Sequence, residues 1–229
     1  APQEFIKLWK EFMDTEYPAF TQMLNMAGIG PFMRIIPVNR AVSGGSEVLP
    51  YEDAAKMIRE SGVLAVTECT CRKTQRKCDA PLEVCIQLNR GAEYSIRRGT
   101  GRALTTEEAL EILDKAEKAG LVHLSENRAR IGNVICNCCP CCCQSLDPMI
   151  HAGLKGLTAP SRYLAQVDME ACTACGICFE RCPAEAITAG DDEKATVNEQ
   201  NCIGCGLCMS ECPEEAITLE TIRPQEFIP

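Results

Sequence analysis

The sequence lacks the features that mark several large protein classes. No stretch approaches the 18 consecutive apolar residues that a membrane-spanning helix needs. It has no Gly-x-Gly-x-x-Gly loop after a predicted strand, no phosphate-binding Gly-Lys-Ser/Thr loop and no Gly-x-Ser-x-Gly elbow. We therefore expect no transmembrane segment and no flavin or nicotinamide site on this chain.

Histidine is scarce, with only His123 and His151. An isolated histidine more often packs in a core or faces solvent than binds a metal, so neither is assigned a role. No catalytic residue is predicted. The N-terminal residues also lack the basic region, apolar core and small-residue cleavage site of a secretory signal. The cytoplasmic location that we expect depends instead on the cysteines, because thiolate clusters favour a reducing compartment.

Cysteine, by contrast, is abundant, with 18 in 229 residues. This is roughly five times the usual share, and it indicates either a disulfide framework or a metal framework. Many of these cysteines are adjacent in sequence, and neighbouring thiols do not readily bridge to each other. Disulfide frameworks also belong mainly to short secreted chains. We therefore predict thiolate-bound metal in a reducing compartment.

The net charge of −9 is unevenly distributed. Residues 161–229, called the C-terminal module below, hold 4 basic and 13 acidic side chains, whereas residues 1–160, the N-terminal region, hold 19 of each. Within the N-terminal region, residues 72–102 are strongly basic. These cations either form a solvated face or offset the negative charge of a thiolate-bound cluster. The basic residues of the stretch are Arg72, Lys73, Arg76, Lys77, Arg90, Arg97, Arg98 and Arg102.

Residue periodicity predicts a mixed α and β structure for the N-terminal region. Phe5, Trp9 and Phe12 have helical spacing within an amphipathic helix over 4–13, which we expect to cover the core or a partner subunit. The next expected elements are a strand over 33–38, a loop at Gly44 and Gly45, a helix over 51–60 ended by Gly62, and a strand over 63–67.

Residues 105–135 carry clear helix and strand signals. Thr105 and Glu108 are spaced as a capping box. The expected elements are a helix over 106–119 ended by Gly120, extended runs over 121–125 and 129–135 around a polar turn, and a connecting segment over 144–166. A helix followed by a β-hairpin resembles the end of a winged-helix unit, a pattern that many small α+β domains share.

Residues 172–183 and 202–213 form an internal repeat with the common pattern C-x2-C-x2-C-x3-C-P. The pattern resembles the bacterial-type ferredoxins that bind two [4Fe-4S] clusters, over about residues 165–222. The resemblance implies a dicluster ferredoxin fold. The expected fold class is therefore α+β, with an N-terminal α+β domain over 1–160 and a ferredoxin domain over 161–229.

The same resemblance implies a ligand set. The first three cysteines of each repeat hold one cluster, and the fourth, fixed by the following proline, holds the other cluster. The two sets so implied are Cys172, Cys175, Cys178 and Cys212, and Cys202, Cys205, Cys208 and Cys182. Gly176 and Gly206 would allow the backbone to approach each cluster closely. Two zinc sites are the alternative, because zinc also binds C-x2-C pairs.

Ten further cysteines form two groups in the N-terminal region. The first group is Cys69, Cys71, Cys78 and Cys85, and the second is Cys136, Cys138, Cys139, Cys141, Cys142 and Cys143. Four thiolates suit a [4Fe-4S] cubane, with zinc as an alternative for the first group. In the second group, positions 136, 139 and 142 repeat the ferredoxin spacing, and a fourth ligand would come from Cys143 or from the first group. Ten thiols suffice for two further clusters with two thiols left over.

Nearly the whole chain resembles a family of iron–sulfur proteins of anaerobes. The resemblance rests on Arg-Ile-Ile-Pro-Val at 34–38, Cys-x-Cys-Arg at 69–72, Ala-Gly-Leu-Val-His at 119–123 and the cysteine run at 135–143. Such proteins join an N-terminal region of this kind to a ferredoxin module. The resemblance therefore implies an architecture but no particular activity.

Electron transfer is the function that these patterns favour. We expect a relay subunit of a larger anaerobic redox complex, which passes single electrons through about four [4Fe-4S] clusters to redox partner proteins or a catalytic oxidoreductase subunit. The alternative is a reductase whose 136–143 cysteines hold a non-cubane or substrate-binding cluster. Whether the chain is itself an enzyme is left open. Its acidic composition argues against a DNA-binding regulator, so no nucleic acid partner is expected.

The cysteine groups also give a structural expectation. The predicted strands over 63–67 and 129–135 each end directly before one of the N-terminal cysteine groups. If the strands are neighbours in one sheet, both groups lie at the same sheet edge. We therefore expect a cluster in the 136–143 segment to be buried against the 69–85 region.

Overall fold

A computed structural model describes residues 3–41, 48–154 and 156–229. The loop expected at Gly44 and Gly45 lies outside the described residues. The described helices are α1 Gln3–Thr15, α2 Tyr17–Met26, α3 Ala54–Glu60, α4 Thr70–Gln75, α5 Arg90–Arg97, α6 Thr106–Lys118, α7 Leu146–His151, α8 Ile177–Arg181 and α9 Leu207–Ser210, with short 3-10 turns at Asn39–Ala41 and Gln225–Phe227.

Seven strands of the N-terminal region form one mixed sheet in the order β4-β2-β3-β6-β5-β1-β7. All neighbouring pairs are antiparallel except β1 and β7, which are parallel. In the C-terminal module, β8 pairs with β11 and β9 pairs with β10, both antiparallel. The strands are β1 Met33–Ile36, β2 Leu64–Glu68, β3 Glu83–Leu88, β4 Gly101–Ala103, β5 Val122–Glu126, β6 Val134–Cys138, β7 Thr158–Ala159, β8 Tyr163–Val167, β9 Ile187–Ala189, β10 Ala195–Val197 and β11 Ile217–Thr221.

Helix starts follow from side-chain caps. The Thr105 hydroxyl accepts a hydrogen bond from the Glu108 amide at 3.2 Å, and the Glu108 carboxylate accepts one from the Thr105 amide at 2.8 Å. The predicted capping box of α6 is therefore confirmed. Helix α3 begins at Ala54, three residues later than expected, because the Asp53 side chain caps it by accepting from the Lys56 amide at 2.8 Å.

The hairpin expected after α6 is present, but its second strand is shifted. The Glu126 carboxylate accepts from the Asn133 amide at 2.9 and 3.0 Å, which keeps 127–133 as a loop. Strand β6 therefore begins at Val134 and extends into the cysteine run as far as Cys138. The hairpin lies in the middle of the seven-stranded sheet, and the winged-helix assignment is not confirmed.

The segment 144–166, expected to be a connection, contains helix α7, strand β7 and most of strand β8. Pro148 is compatible with α7 because it lies in the first turn, where a helix needs no amide donor. The Thr158 hydroxyl donates to the Ser145 carbonyl at 2.9 Å, which fixes β7 beside the start of α7. This segment is therefore structured, and β7 extends the sheet beyond β1.

The N-terminal region and the C-terminal module share one continuous hydrophobic core. Ile35 and Val38 from the first pack in the same cluster as Tyr163 and Leu207 from the second. A buried ion pair also joins the two parts, with the Arg162 guanidinium bound to the Glu52 carboxylate at 2.7 and 2.9 Å. Residue 160 thus marks a change in sequence pattern. That it is also a boundary between two domains stays a prediction.

Helix α1 is amphipathic as predicted, but none of its residues is buried. Its aromatic side chains instead stack on one another, with the rings of Phe5 and Trp9 centred 6.0 Å apart and those of Trp9 and Phe12 5.6 Å apart. Helix α2 is tied to the cysteine run, because the Tyr17 hydroxyl donates to the Gln144 carbonyl at 2.6 Å. Helix α1 therefore does not cover the core, and the alternative, that it covers a partner subunit, stays a prediction.

Candidate iron–sulfur and metal centres

The two cysteine repeats of the C-terminal module fold into two copies of the same loop and helix. Gly176 and Gly206 both precede a short helix with φ of +77°. The Cys182 and Cys212 amides both donate to the carbonyl three residues earlier, each at 3.3 Å. Further matched pairs with positive φ are Ala174 and Gly204, and Glu185 and Glu215. The sequence repeat is therefore also a backbone repeat.

Each repeat encloses a cavity that receives one cysteine from the other repeat. The outer cavity is lined by Cys172, Cys175, Cys178 and Cys212, and the inner cavity is lined by Cys202, Cys205, Cys208 and Cys182. The cavities are alike in size, each with a volume of about 20 Å³. The thiols are thus grouped as the ferredoxin resemblance implies, while their role as iron ligands stays a prediction.

Several of these thiols lie in apolar surroundings. Burial raises the pKa of Cys205 to about 12, and it also raises the pKa of Cys178 and Cys182. A desolvated thiol keeps its proton until a cation is close enough to stabilise the thiolate. The chemistry of the donor set therefore suits metal clusters with four thiolate ligands each.

The two cavities differ in their exposure. Cys175 at the outer cavity is exposed, whereas Cys205 and Cys208 at the inner cavity are buried. The inner cavity lies against the N-terminal region, where the Val38 amide donates to the Cys205 carbonyl at 2.8 Å. A Cβ atom at Gly206 would meet the Ala41 side chain at 2.5 Å, so this contact needs glycine. One cavity therefore faces outward and the other faces the rest of the protein.

The two N-terminal cysteine groups meet at one edge of the large sheet. Strands β2 and β6 are both antiparallel to β3, which lies between them. Their C-terminal ends therefore lie at the same edge, beside the N-terminal end of β3. The expected meeting of the two loops is present, with β3 between the two strands rather than direct pairing.

The structure regroups the ten N-terminal thiols across the two sequence groups. One set, called the four-thiol group, has all of its Sγ atoms within 4.8 Å of one another. The Sγ of Cys78 lies 3.6 Å from that of Cys139 and 3.9 Å from that of Cys142, and the Sγ atoms of Cys141 and Cys142 are 3.7 Å apart. Its members are Cys78, Cys139, Cys141 and Cys142. Cys78 is thus separated from the sequence neighbours with which it was predicted to act.

The other six thiols form a connected chain, called the six-thiol group. Each thiol shifts the pKa of the next one, and the links run from Cys71 to Cys69, Cys69 to Cys85, Cys85 to Cys136, Cys136 to Cys138 and Cys138 to Cys143. The group thus combines three cysteines from each of the two sequence groups. The sequence spacing predicted that Cys136, Cys139 and Cys142 act together as ligands from one loop. The fold instead places Cys136 in the six-thiol group and the other two in the four-thiol group.

The thiols of the six-thiol group shift one another's pKa in opposite directions. Hydrogen bonds from Cys71 and Cys85 lower the pKa of Cys69 to about 2, and those from Cys138 and Cys85 hold the pKa of Cys136 well below its usual range. The same contacts raise the pKa of Cys71, Cys85 and Cys138. The pKa shifts therefore alternate in direction along the group, because neighbouring thiols interact strongly.

Arg72 is the one buried cation of the basic stretch at 72–102 in the described structure. Its guanidinium donates to the Pro81 carbonyl at 2.6 Å and to the Asn137 carbonyl at 3.1 Å. Burial lowers the pKa of Arg72, but contact with the Cys139 thiol and the charges of Cys69 and Cys78 raise it overall. The hypothesis of charge compensation thus fits Arg72, whereas the other basic residues lie at the surface or are half-buried.

A buried polar network beside the thiols was not found from the sequence. His123 Nδ1 lies 2.5 Å from Asn137 Oδ1, and His123 Nε2 lies 3.2 Å from Glu117 Oε1. Asn137 also donates to the Val84 carbonyl at 2.5 Å. These bonds fix the strand that carries Cys136 and Cys138. The sequence held one signal for this network, which was the polar Asn137 between two cysteines. An amide side chain in a buried strand is seldom left without hydrogen-bond partners.

Comparison with known proteins supports the assignment of the C-terminal module. Residues 165–219 match the family model of the 4Fe-4S dicluster domain. This class of module binds [4Fe-4S] clusters, which agrees with the two four-cysteine cavities. No curated protein matches the chain. Within the described residues, no helix is both long and apolar enough to cross a membrane.

Proposed function

We propose that this protein is an electron-transfer subunit that relays single electrons between a redox partner and a catalytic oxidoreductase subunit. The observation that carries the proposal is the pair of adjacent four-cysteine cavities, each completed by a cysteine of the other repeat. One-electron oxidation and reduction is the chemistry that [4Fe-4S] clusters supply when bound. The chain's own contribution is to hold, bury and space the ligands.

The difference in exposure between the outer and inner cavities supports a path for the electrons. The outer cavity has the exposed Cys175 at its rim, so a partner could approach it closely. The inner cavity shares its hydrophobic core with Cys138 and Cys143 of the six-thiol group. We propose that electrons pass between the outer surface and the N-terminal region through the inner site.

The six-thiol group supports one further cluster site in the N-terminal region. It offers more than the four thiolates that a cubane needs, and Arg72 lies beside Cys69 to offset negative charge. The sequence predicted two N-terminal clusters and about four in total. The thiol arrangement favours three, because the remaining four thiols are gathered more closely than a cubane requires.

The C-terminal module supports docking on a basic partner. All of the net negative charge of the chain lies in this module. Its basic residues are held by contacts within the chain, such as Arg181 with the Lys118 carbonyl at 3.2 Å and Arg223 with the Ser161 carbonyl at 2.5 Å. An acidic surface around the outer cavity would attract a cationic partner.

Protein-film voltammetry on the anaerobically purified protein tests the proposed function. We expect reversible one-electron signals and no turnover of small disulfide substrates by the isolated protein. Absence of reversible signals in an iron-loaded sample would reject electron transfer. Disulfide turnover would instead favour the reductase alternative.

Single cysteine variants test the crossed ligand sets. Cys175→Ser and Cys205→Ser provide reference electron paramagnetic resonance spectra for loss of the outer and inner clusters. Cys182→Ser should reproduce the Cys205→Ser spectrum, although Cys182 belongs to the first repeat in sequence. A Cys182→Ser spectrum that matched Cys175→Ser would contradict the crossed arrangement.

A further inference from the structure

The four-thiol group differs from every other set of cysteines in the described structure by its geometry. Its four Sγ atoms all lie within 4.8 Å of one another. Three members come from the loop after β6, whereas Cys78 arrives from the loop between α4 and β3. Cys139 and Cys142 are buried, and Cys78 and Cys141 are half-buried. Four thiols from two distant segments therefore converge on one small volume.

The spacing of these sulfur atoms fits one tetrahedral ion. Zinc–sulfur bonds are about 2.3 Å long, so the sulfur atoms of a tetrahedral tetrathiolate are roughly 3.8 Å apart. The measured separations from Cys78 to Cys139 and Cys142 are 3.6 and 3.9 Å, and that from Cys141 to Cys142 is 3.7 Å. No large rearrangement of the thiols is needed to enclose a single ion.

The same chain supplies a comparison with cluster-type spacing. In a cubane, each thiolate binds a different corner iron, so the four sulfur ligands are spread much further apart than around one ion. Among the described residues, neither the outer nor the inner cavity of the C-terminal module brings three or more thiols within 4.8 Å of one another. The four-thiol group therefore belongs to a different class of metal site from the two ferredoxin-like cavities.

The surroundings of the group suit a negatively charged, closed site. Four thiolates around a divalent ion carry a net charge of −2, and binding releases the thiol protons to solvent. The buried Arg72 guanidinium contacts Cys139, and its Nε atom has no hydrogen-bond partner within the described structure. A cation is thus already in place to offset this charge.

We infer that Cys78, Cys139, Cys141 and Cys142 bind one zinc ion as a structural tetrathiolate site. Tetrahedral sulfur coordination suits zinc, and zinc binds such ligands more tightly than ferrous iron does. Four protein ligands leave no open position for a substrate. The ion would fasten the loop that carries Cys78 to the loop after β6, and so hold the six-thiol group together. This inference is independent of the proposed electron transfer through the C-terminal module.

Metal analysis of the full chain, purified anaerobically with iron and zinc both supplied, is the first test. We expect about one zinc per chain beside the iron of the clusters. X-ray absorption at the zinc edge should show four sulfur neighbours at about 2.3 Å. Absence of zinc, or fewer than four sulfur neighbours, would overturn the inference. These measurements use the unaltered protein, so a variant that fails to fold cannot obscure them.

Two matched variants locate the zinc. Cys78→Ser should reduce zinc to below about a tenth of the normal content, whereas Cys71→Ser, in the six-thiol group, should retain it. Iron in the C-terminal module should be unchanged in both variants. Zinc loss only in Cys71→Ser would assign the ion to the other group and overturn the inference. If either variant lost the iron signals of the C-terminal module but kept its zinc, the result would count against the proposed electron transfer and not against the zinc site.

Discussion

Arg72 is the residue on which the charge balance of both N-terminal thiol groups depends. It contacts Cys139 of the four-thiol group and lies near Cys69 of the six-thiol group. Because its guanidinium is buried, its interaction with thiolates is weakly screened by solvent. The same side chain also links the Pro81 and Asn137 carbonyls, which belong to the two cysteine-bearing segments. Arg72 therefore has both a positioning and an electrostatic role.

Replacement of Arg72 tests this role. Arg72→Gln removes the buried charge and should weaken zinc retention by about 10- to 100-fold, the equivalent of roughly 1.5–3 kcal/mol for hydrogen bonds to charged groups. The measurement is zinc and iron content after dialysis against a competing chelator. Arg76→Gln is the control, because Arg76 is exposed. Equal metal retention by the two variants would contradict the assignment.

Gly204 is required by both its conformation and its surroundings. It has φ of +67°, and a Cβ atom there would lie 2.1 Å from the Ser161 hydroxyl oxygen and 2.3 Å from the Tyr163 carbonyl oxygen. The Ser161 hydroxyl also donates to the Gly204 carbonyl at 2.7 Å. A side chain at position 204 would therefore push the inner cavity away from β8.

A matched pair of alanine variants separates the two requirements. Gly153 also has positive φ, at +64°, but in the described structure no atom lies within 4 Å of the position that a Cβ atom would take there. Gly153→Ala should cost about 1–2 kcal/mol from backbone strain alone, whereas Gly204→Ala should cost about 1–3 kcal/mol more from overpacking. The measurement is the thermal unfolding midpoint of the metal-loaded protein. Similar midpoints for the two variants would contradict the prediction, because they would show that β8 moves away from a side chain at position 204 at little cost in free energy.

Among the secondary-structure elements, strand β3 organises the N-terminal thiols. It separates β2 from β6 and contributes Cys85 near the edge where both neighbouring strands end. Parallel alignment of β2 and β6 follows from two antiparallel pairings in succession. Three consecutive strands of the sheet thus supply or precede nearly all of the N-terminal ligand candidates. If β2 had paired directly with β6, Cys85 on β3 would not lie between the ends of these two strands.

The segment before α3 and the start of β8 are joined by the buried ion pair between Glu52 and Arg162. The side chains are 1% and 6% exposed, and the Tyr163 hydroxyl donates to the same carboxylate at 3.3 Å. Glu52→Ala removes the carboxylate that faces the buried guanidinium, so we expect a loss of about 3–5 kcal/mol of stability. The measurement is the denaturant midpoint of the metal-loaded protein.

The control for this prediction is Lys10→Ala, which removes the exposed ion pair with Asp14 on α1. Exposed pairs of this kind contribute about 0–1 kcal/mol, so its midpoint should remain close to that of the unaltered protein. If the two variants were equally stable, the buried pair would not hold the two parts together.

For the molecule as a whole, the shared core predicts cooperative unfolding. Val38 of the N-terminal region and Tyr163 of the C-terminal module pack in one cluster across the predicted boundary at residue 160. Cluster absorbance and far-ultraviolet circular dichroism should therefore be lost in a single transition on heating. Loss of cluster absorbance well before the loss of helical signal would indicate two separately stable domains.

The acidic C-terminal module predicts salt-dependent docking near the outer cavity. Glu214 lines that cavity and is exposed. With a basic c-type cytochrome as the probe, the dissociation constant should rise as salt is added, because the Debye length falls from about 10 Å at 0.1 M to about 3 Å at 1 M. Glu214→Lys should weaken binding severalfold, whereas Glu11→Lys on α1 should not. Equal effects of the two substitutions would show that overall charge alone governs binding.

The cysteine sets of the C-terminal module could be predicted from the sequence alone. Three members of each set lie within seven residues, so their convergence is a local property of one loop, and the repeat reveals the fourth. The capping box of α6 was equally local, because a cap needs only residues three apart.

The grouping of the N-terminal thiols, in contrast, could be known only from the folded chain. Cys78 and Cys139 are 61 positions apart, and their contact depends on the order of β2, β3 and β6 in the sheet. Nothing in the local spacing predicts that order, and the spacing of Cys136, Cys139 and Cys142 favoured a different loop. The burial of Arg72 against the thiols was likewise a consequence of strand pairing. Ligands that are close in sequence are fixed by local backbone geometry, whereas ligands from separate strands are brought together only by the folded sheet.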